Sequence, residues 1–289
     1  MQFSSNNQIL PPSLNVPKPI KFIIKILYFF SDKLTLFIAS KLFTTPIHFK
    51  TPKREFQMEE SSQKKTLKAP SIHKEIHILS YGYSDKKVLL AHGWAGRSTQ
   101  LFMIANKLLE KGFMVISFDG PAHGKSTGKT TNLIEYIETI KAINKEFGPF
   151  EAAVGHSFGC MALINTQAEN KLFKKIVTVG SGDKVSDILI NFSKNLGLDK
   201  KFGQKLINYV NKKWKIKVDD FATHQAAKNV KIPVLVVHDV IDGDVNVSCA
   251  INIRHNLENG ELFITNGLGH TKILRDKNTT NKIVDFIIH

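Results

Sequence analysis

Phe150-Glu151-Ala152-Ala153-Val154-Gly155-His156-Ser157-Phe158-Gly159-Cys160-Met161-Ala162-Leu163-Ile164 decides the fold. Residues 150–154 are short and apolar enough for a buried strand, and residues 160–164 suit the opening of a helix. Between them lies a G-x-S-x-G turn, and strand, tight turn, helix is the setting that motif requires. Its small residues let strand and helix pass close together, so that Ser157 Oγ stands exposed at the sheet edge. So short a motif also arises by chance, and its weight depends on the rest of the chain.

Outward from the turn, strands and helices alternate. Upstream, residues 88–91 and 113–118 read as strands. Residues 101–111 read as a helix stopped by Gly112, and residues 133–147 as one ended by Gly148-Pro149. Downstream, residues 175–179, 234–238 and 262–265 read as strands, and 247–257 and 278–288 as helices. This alternation predicts an α/β fold with a mostly parallel, doubly wound sheet, its core in residues 72–182 and 232–289. Residues 76–79 are the candidate edge strand. Residues 183–231 break the pattern, with helices expected over 185–196, 201–214 and 219–228; the expectation is a small helical cap over the strand ends.

The first 71 residues lie outside this pattern. Residues 1–19 are polar and rich in proline, the composition of a disordered tail. Residues 20–71 read as an amphipathic helical segment and a connector, with one strand near Phe56. Residues 20–43 are strongly apolar, but lysines and Asp32 keep every uncharged run below the ~18 residues of a spanning helix. The stretch also lacks the layout of a signal peptide. It either packs on the domain, as apolar helix faces usually do, or lies on an anionic membrane as a basic interfacial helix.

The 289 residues fit one large α/β domain, and 42% hydrophobic content suffices for a sizeable core. Cys160 and Cys249 give no disulfide framework and suit a reducing compartment, so a cytoplasmic protein is expected, peripheral at the inner membrane face only if residues 20–43 lie on the membrane. The net charge of +15 invites a nucleic-acid reading, but the lysines are dispersed and no nucleic-acid motif is present. Asp119-Gly120-Pro121-Ala122-His123-Gly124-Lys125-Ser126 ends like a phosphate loop, yet Asp119 stands where the first glycine belongs. Pro121 also removes an N–H from a loop that would need to donate it. This loop is expected to buttress its surroundings.

A serine nucleophile needs a base, and the base needs an acid to fix its tautomer. His238-Asp239-Val240-Ile241-Asp242-Gly243-Asp244-Val245 follows a strand, with Asp242 as the acid, Asp244 as the runner-up and Asp239 as a brace. His270, in Gly267-Leu268-Gly269-His270 after the last strand, is the expected base; His92, His123 and His156 compete with it. An oxyanion hole requires two backbone donors. Phe158 supplies the first, and Trp94, in His92-Gly93-Trp94-Ala95-Gly96 after residues 88–91, the second.

These five pieces, in this order, resemble the serine hydrolases of the α/β-hydrolase superfamily over roughly residues 88–289. The resemblance implies the α/β-hydrolase fold, Ser157 as nucleophile, Asp242 as acid, His270 as base, Trp94 and Phe158 as oxyanion donors, and no metal or cofactor. Members often carry proline after the valine of the acid loop, where this chain has Asn246, which loosens the choice between Asp242 and Asp244. Residues 268–276 resemble a bacterial subset known only as hydrolases. The implied activity is cleavage of a small-molecule carboxylic ester or thioester. An acyltransferase with the same triad, or a non-catalytic membrane- or ligand-binding protein of this fold, are the alternatives.

Overall fold

The computed structural model describes residue 9 and residues 16–289. The chain opens with α1 (Lys18–Phe30) and α2 (Asp32–Phe43), turning at Ser31, whose hydroxyl caps α2 by accepting from Leu34 N–H at 3.2 Å. Then follow α3 (Phe56–Glu60), β1 (Gln63–Ala69), β2 (Lys74–Tyr81), β3 (Lys87–Ala91), α4 (Phe102–Glu110), β4 (Met114–Phe118) and α5 (Leu133–Phe147). β5 (Phe150–His156) leads to α6 (Phe158–Asn170) and β6 (Phe173–Val179). α7 (Val185–Asn195), α8 (Lys200–Trp214) and α9 (Thr223–Ala227) precede β7 (Val234–Asp239). The chain closes with α10 (Ser248–Asn256), β8 (Gly260–Thr265), α11 (Gly269–Lys272) and α12 (Lys277–Ile288).

The strands form one eight-stranded sheet in the order β1-β2-β4-β3-β5-β6-β7-β8. β2 pairs antiparallel with both β1 and β4; every other pairing is parallel. Alternate residues feed two cores, as the period of a strand demands. Leu89, Ile116, Ala153, Ile176 and Val236 face α5, α6, α9 and α10, whereas Val88, Val115, Val154, Val177 and Leu235 face α4 and α12. The sheet is thus covered on both sides, as a parallel sheet must be.

Three expectations near the amino terminus are corrected. Residues 76–79 do not form the edge strand: β1 lies outside β2, with register Thr66 opposite His77. β1 is lysine-rich and mostly exposed, which suits an edge that must not pair with another chain. Phe56 begins a short helix, not a strand, and there Met58 alone is buried among the apolar residues. Of the expected tail, residues 1–8 and 10–15 lie outside the described residues. α1 already begins at Lys18, with Pro19 in its first turn, where a missing N–H costs nothing. Further on, the single helix expected over 219–228 is two pieces, a 3₁₀ turn Val218–Phe221 and α9, separated by extended Ala222.

A third core sits above the carboxyl ends of the strands. It joins Ile24 of α1 and Ala39 of α2 to Leu189 of α7 and Phe202, Leu206 and Val210 of α8. Tyr28 meets Phe202 edge-on at 5.1 Å, and Phe43 meets Phe192 at 5.3 Å. The helices that roof the sheet therefore come from two segments far apart in the chain. Buried Glu55 ties the connector to the body below, accepting from Arg97 Nη1 at 3.0 Å and Thr99 Oγ1 at 2.8 Å.

Candidate active site

Ser157 occupies the sharp turn between β5 and α6 with φ 50° and ψ −112°, a conformation L residues rarely adopt. The neighbouring glycines make the turn sterically feasible. A Cβ on Gly155 would lie 2.8 Å from Cys160 N, and one on Gly159 would lie 2.3 Å from Ala91 O. Strand, helix and the end of β3 therefore touch backbone to backbone, and the serine is pushed outward.

Asp242 lies in the loop after β7 and His270 at the start of α11, after β8. Asp242 Oδ1 accepts from the N–H groups of Asp244 and Val245 at 2.8 and 2.9 Å, which leaves Oδ2 aimed at His270 Nδ1, 2.7 Å away. Burial raises the Asp242 pKa, but the His270 hydrogen bond and charge outweigh it and hold the carboxyl below its ordinary value. With Nδ1–H donating to Asp242, Nε2 of His270 is left as an acceptor. Asp239 holds the histidine loop in place: its Oδ2 accepts from Thr265 Oγ1 at 2.7 Å and Leu268 N at 3.0 Å.

The expected serine and histidine meet on the wall of a single cavity of about 790 Å³, which both line. No hydrogen bond joins Ser157 Oγ to His270 among the described residues; such contacts commonly tighten only once substrate is bound. Gly180, which the sequence reading passed over, makes room for the pair. It follows β6 with φ 63°, and a Cβ there would lie 3.2 Å from His270 Nδ1 and 3.6 Å from Asp242 Oδ2. The signal was the Gly180-Ser181-Gly182 run directly after a strand.

The loop after β3 passes against the serine turn: a Cβ on Gly93 would lie 3.1 Å from Ser157 Cβ. In that loop Gly93 N–H donates to Gln100 Oε1 at 3.0 Å and Ala95 N–H to His123 Nε2 at 3.1 Å. Ala95 takes a left-handed φ of 56°. The N–H groups of Trp94 and of Phe158 meet no acceptor among the described residues. Their side chains pack edge-on, 5.4 Å between ring centres, and both line the cavity.

The three competing histidines prove to be buried framework. His92 Nε2 accepts from Gly120 N–H at 2.8 Å while Nδ1–H donates to Gly93 O at 2.7 Å. His123 Nε2 takes the Ala95 N–H, and its Nδ1–H donates to Pro121 O at 3.0 Å. His156 Nε2–H donates to His270 O at 3.0 Å, and its ring lies 4.7 Å from that of His270. Burial drives all three pKa values down, to about 4 for His92 and about 3 for His123 and His156. Each is locked neutral and serves the backbone around Ser157, Trp94 or His270. The loop of residues 119–126 is likewise a brace: Asp119 accepts from Ser98 N at 2.7 Å and Lys125 N at 2.8 Å, and Lys125 Nζ pairs with Glu59.

Asp242, Asp244 and His270 place potential metal-ligand atoms within 4.8 Å of one another. In Asp242 those oxygens are already engaged by two main-chain donors and the imidazole.

Comparison with known proteins agrees with this architecture. Residues 86–216 match the family model for the alpha/beta hydrolase fold, and residues 200–288 match that of TAP-like proteins. The chain belongs to the α/β-hydrolase superfamily. An esterase of Pyrococcus furiosus superposes with a TM-score of 0.64 at 18% identity, covering 85% of this chain and 97% of that one. An esterase of Exiguobacterium antarcticum gives 0.63 at 16% identity over 78% of this chain and 100% of its own. A bromoperoxidase of Bacillus anthracis gives 0.60 at 16% identity over 78% and 99%. No curated protein matches the chain in sequence. Likeness at these identities establishes the fold, and the reaction has to be argued from the site. No helix among the described residues is long and apolar enough to cross a membrane.

Proposed function

We propose that the protein is a serine hydrolase that cleaves carboxylic ester or thioester bonds through an acyl-enzyme. Family membership supports a hydrolase. The observation that carries the finer reading is the 2.7 Å contact of His270 Nδ1 with buried Asp242, on the cavity wall that also bears Ser157 in its strained turn.

In this mechanism Ser157 Oγ attacks the acyl carbonyl carbon while His270 Nε2 takes the hydroxyl proton. Asp242 fixes the tautomer and stabilises the imidazolium that forms. The carbonyl oxygen becomes an oxyanion and accepts from the N–H groups of Trp94 and Phe158. As the intermediate collapses, His270 returns the proton to the departing alcohol or thiol. Water, deprotonated by His270, then releases the acid and restores the serine. The apolar cavity, lined by Trp94, Phe158, Met161, Ile188 and Phe192 among others, suits a hydrophobic acyl group.

The test is labelling with a fluorophosphonate probe, comparing wild type with Ser157→Ala. Labelling of the wild type that vanishes in the variant is the expected result. A folded wild-type protein that takes no label refutes the proposal.

A further inference from the structure

α1 carries two apolar faces. One, through Ile24 and Leu27, enters the cap core. The other points away from the protein: Phe22, Ile23, Ile26, Phe29 and Phe30 follow the spacing of a single helix face, and Phe29 and Phe30 are 84% and 77% exposed. Leu34 and Phe37 of α2 and Ile47 and Phe49 of the segment after it are exposed as well, and Ile47 and Phe49 line the cavity. So many large apolar side chains exposed along one helix and the segment after it mark an interaction site.

The charges around it select the occupant. Lys18, Lys21 and Lys25 form a stripe along one flank of α1, and Lys33, Lys41 and Lys50 stand around α2 and the following loop. Between residues 18 and 50 the sole acid is Asp32, which is paired with Lys205. A two-fold pairing with a second copy would set this patch against itself and lysine against lysine. An apolar, aromatic face flanked by lysines instead matches an anionic lipid surface, with the rings at acyl depth and the ammonium groups among the headgroups. The cavity adds a direction, since the residues lining it include Ser157 and His270 and also Ile20, Leu42, Ile47 and Phe49, exposed residues of the same amino-terminal segment.

We infer that α1 and α2 dock this protein on an anionic bilayer, with the cavity mouth at the membrane surface. Given the ester-hydrolase reading above, on which this second step rests, the substrate class is an acyl ester of a bilayer lipid. It reaches Ser157 along the cavity without crossing water.

The test is co-sedimentation of the full chain with phosphatidylcholine vesicles, with and without about a third phosphatidylglycerol. It is run in the Ser157→Ala background so that binding is read apart from turnover. Each lysine near an anionic surface is worth about fivefold in partitioning, so wild type should bind the anionic vesicles at least about tenfold better than the neutral ones. Phe29→Ser with Phe30→Ser should weaken that binding at least about tenfold. Made in the chain that keeps Ser157, the same two substitutions should leave the melting temperature and the turnover of a water-soluble ester unchanged, because neither ring belongs to the cap core or lines the cavity. Equal pelleting of wild type and double variant overturns the inference. So does a wild-type dimer that the double variant splits into monomers, which would make a second copy the occupant. Vesicle binding together with no fluorophosphonate labelling of the folded chain that keeps Ser157 refutes the hydrolase reading and leaves the docking intact.

Discussion

Acidifying this protein from about pH 7 to about pH 5 should destabilise it by several kcal/mol, because three imidazoles fold only in the neutral form. His92 and His123 each use Nε2 to accept a main-chain N–H, from Gly120 and Ala95. Protonation would set N–H against N–H in a buried site. His156 is buried beside His270 and has no hydrogen-bond partner at Nδ1 among the described residues. Their folded pKa values, about 4, 3 and 3, all lie below the ordinary histidine value of 6.5. Between those limits the unfolded chain binds more protons than the folded one, so stability rises with pH and is lost on acidification. At about pH 5 each histidine costs about 2 kcal/mol, from some 1.5 pH units at 1.36 kcal/mol per unit. Together they cost about 6 kcal/mol, a large part of the 5–15 kcal/mol typical of a domain. Urea denaturation at the two pH values, followed by far-ultraviolet circular dichroism, measures the difference directly. His123→Gln, whose amide oxygen can take over the Ala95 N–H, should flatten the pH dependence by about a third, or about 2 kcal/mol. A change below about 1 kcal/mol between the two pH values in wild type would refute the argument.

Two further perturbations test the site itself. Asp242→Asn keeps an acceptor for Asp244 and Val245 N–H but turns an amide NH₂ towards His270, forcing the proton onto Nε2. Ester turnover should fall about 10⁴-fold, equivalent to about 5.5 kcal/mol of barrier, with KM little changed; retention of a tenth of the activity would refute the role. Ser157→Gly removes a side chain held at φ 50°, so it should abolish labelling while raising unfolding stability by about 1 kcal/mol. A less stable glycine variant would show that the turn is unstrained.

What could be read in the sequence followed the strength of the local signal. The doubly wound core was readable because apolar runs such as residues 88–91 and 234–238 are bounded by glycine, proline and aspartate. β1 escaped because Gln63-Lys64-Lys65-Thr66-Leu67-Lys68-Ala69 is mostly exposed and its pairing with β2 is made by the backbone. The break at Ala222 carries neither glycine nor proline, so two short helical pieces read as one. In the site, strand-end loops placed Asp242 and His270 near each other, and the structure brings them into contact. The order of residues is silent on which histidine nitrogen accepts and which donates, so the bracing by His92 and His123 emerged only from their partners. Gly180 was missed because its role is to leave space beside a ring that arrives from residue 270.

The cap core, built from helices within residues 18–43 and 185–214, also sets an order of assembly. α1 and α2 leave the ribosome first, whereas their partners α7 and α8 are translated long afterwards. At about 5–20 residues per second, the helix pair waits on the order of ten seconds with its inner face uncovered as well as its outer one. During that interval the nascent chain is at its stickiest. Whatever shelters it then, a holdase or the bilayer itself, meets the protein before Ser157 has been synthesised.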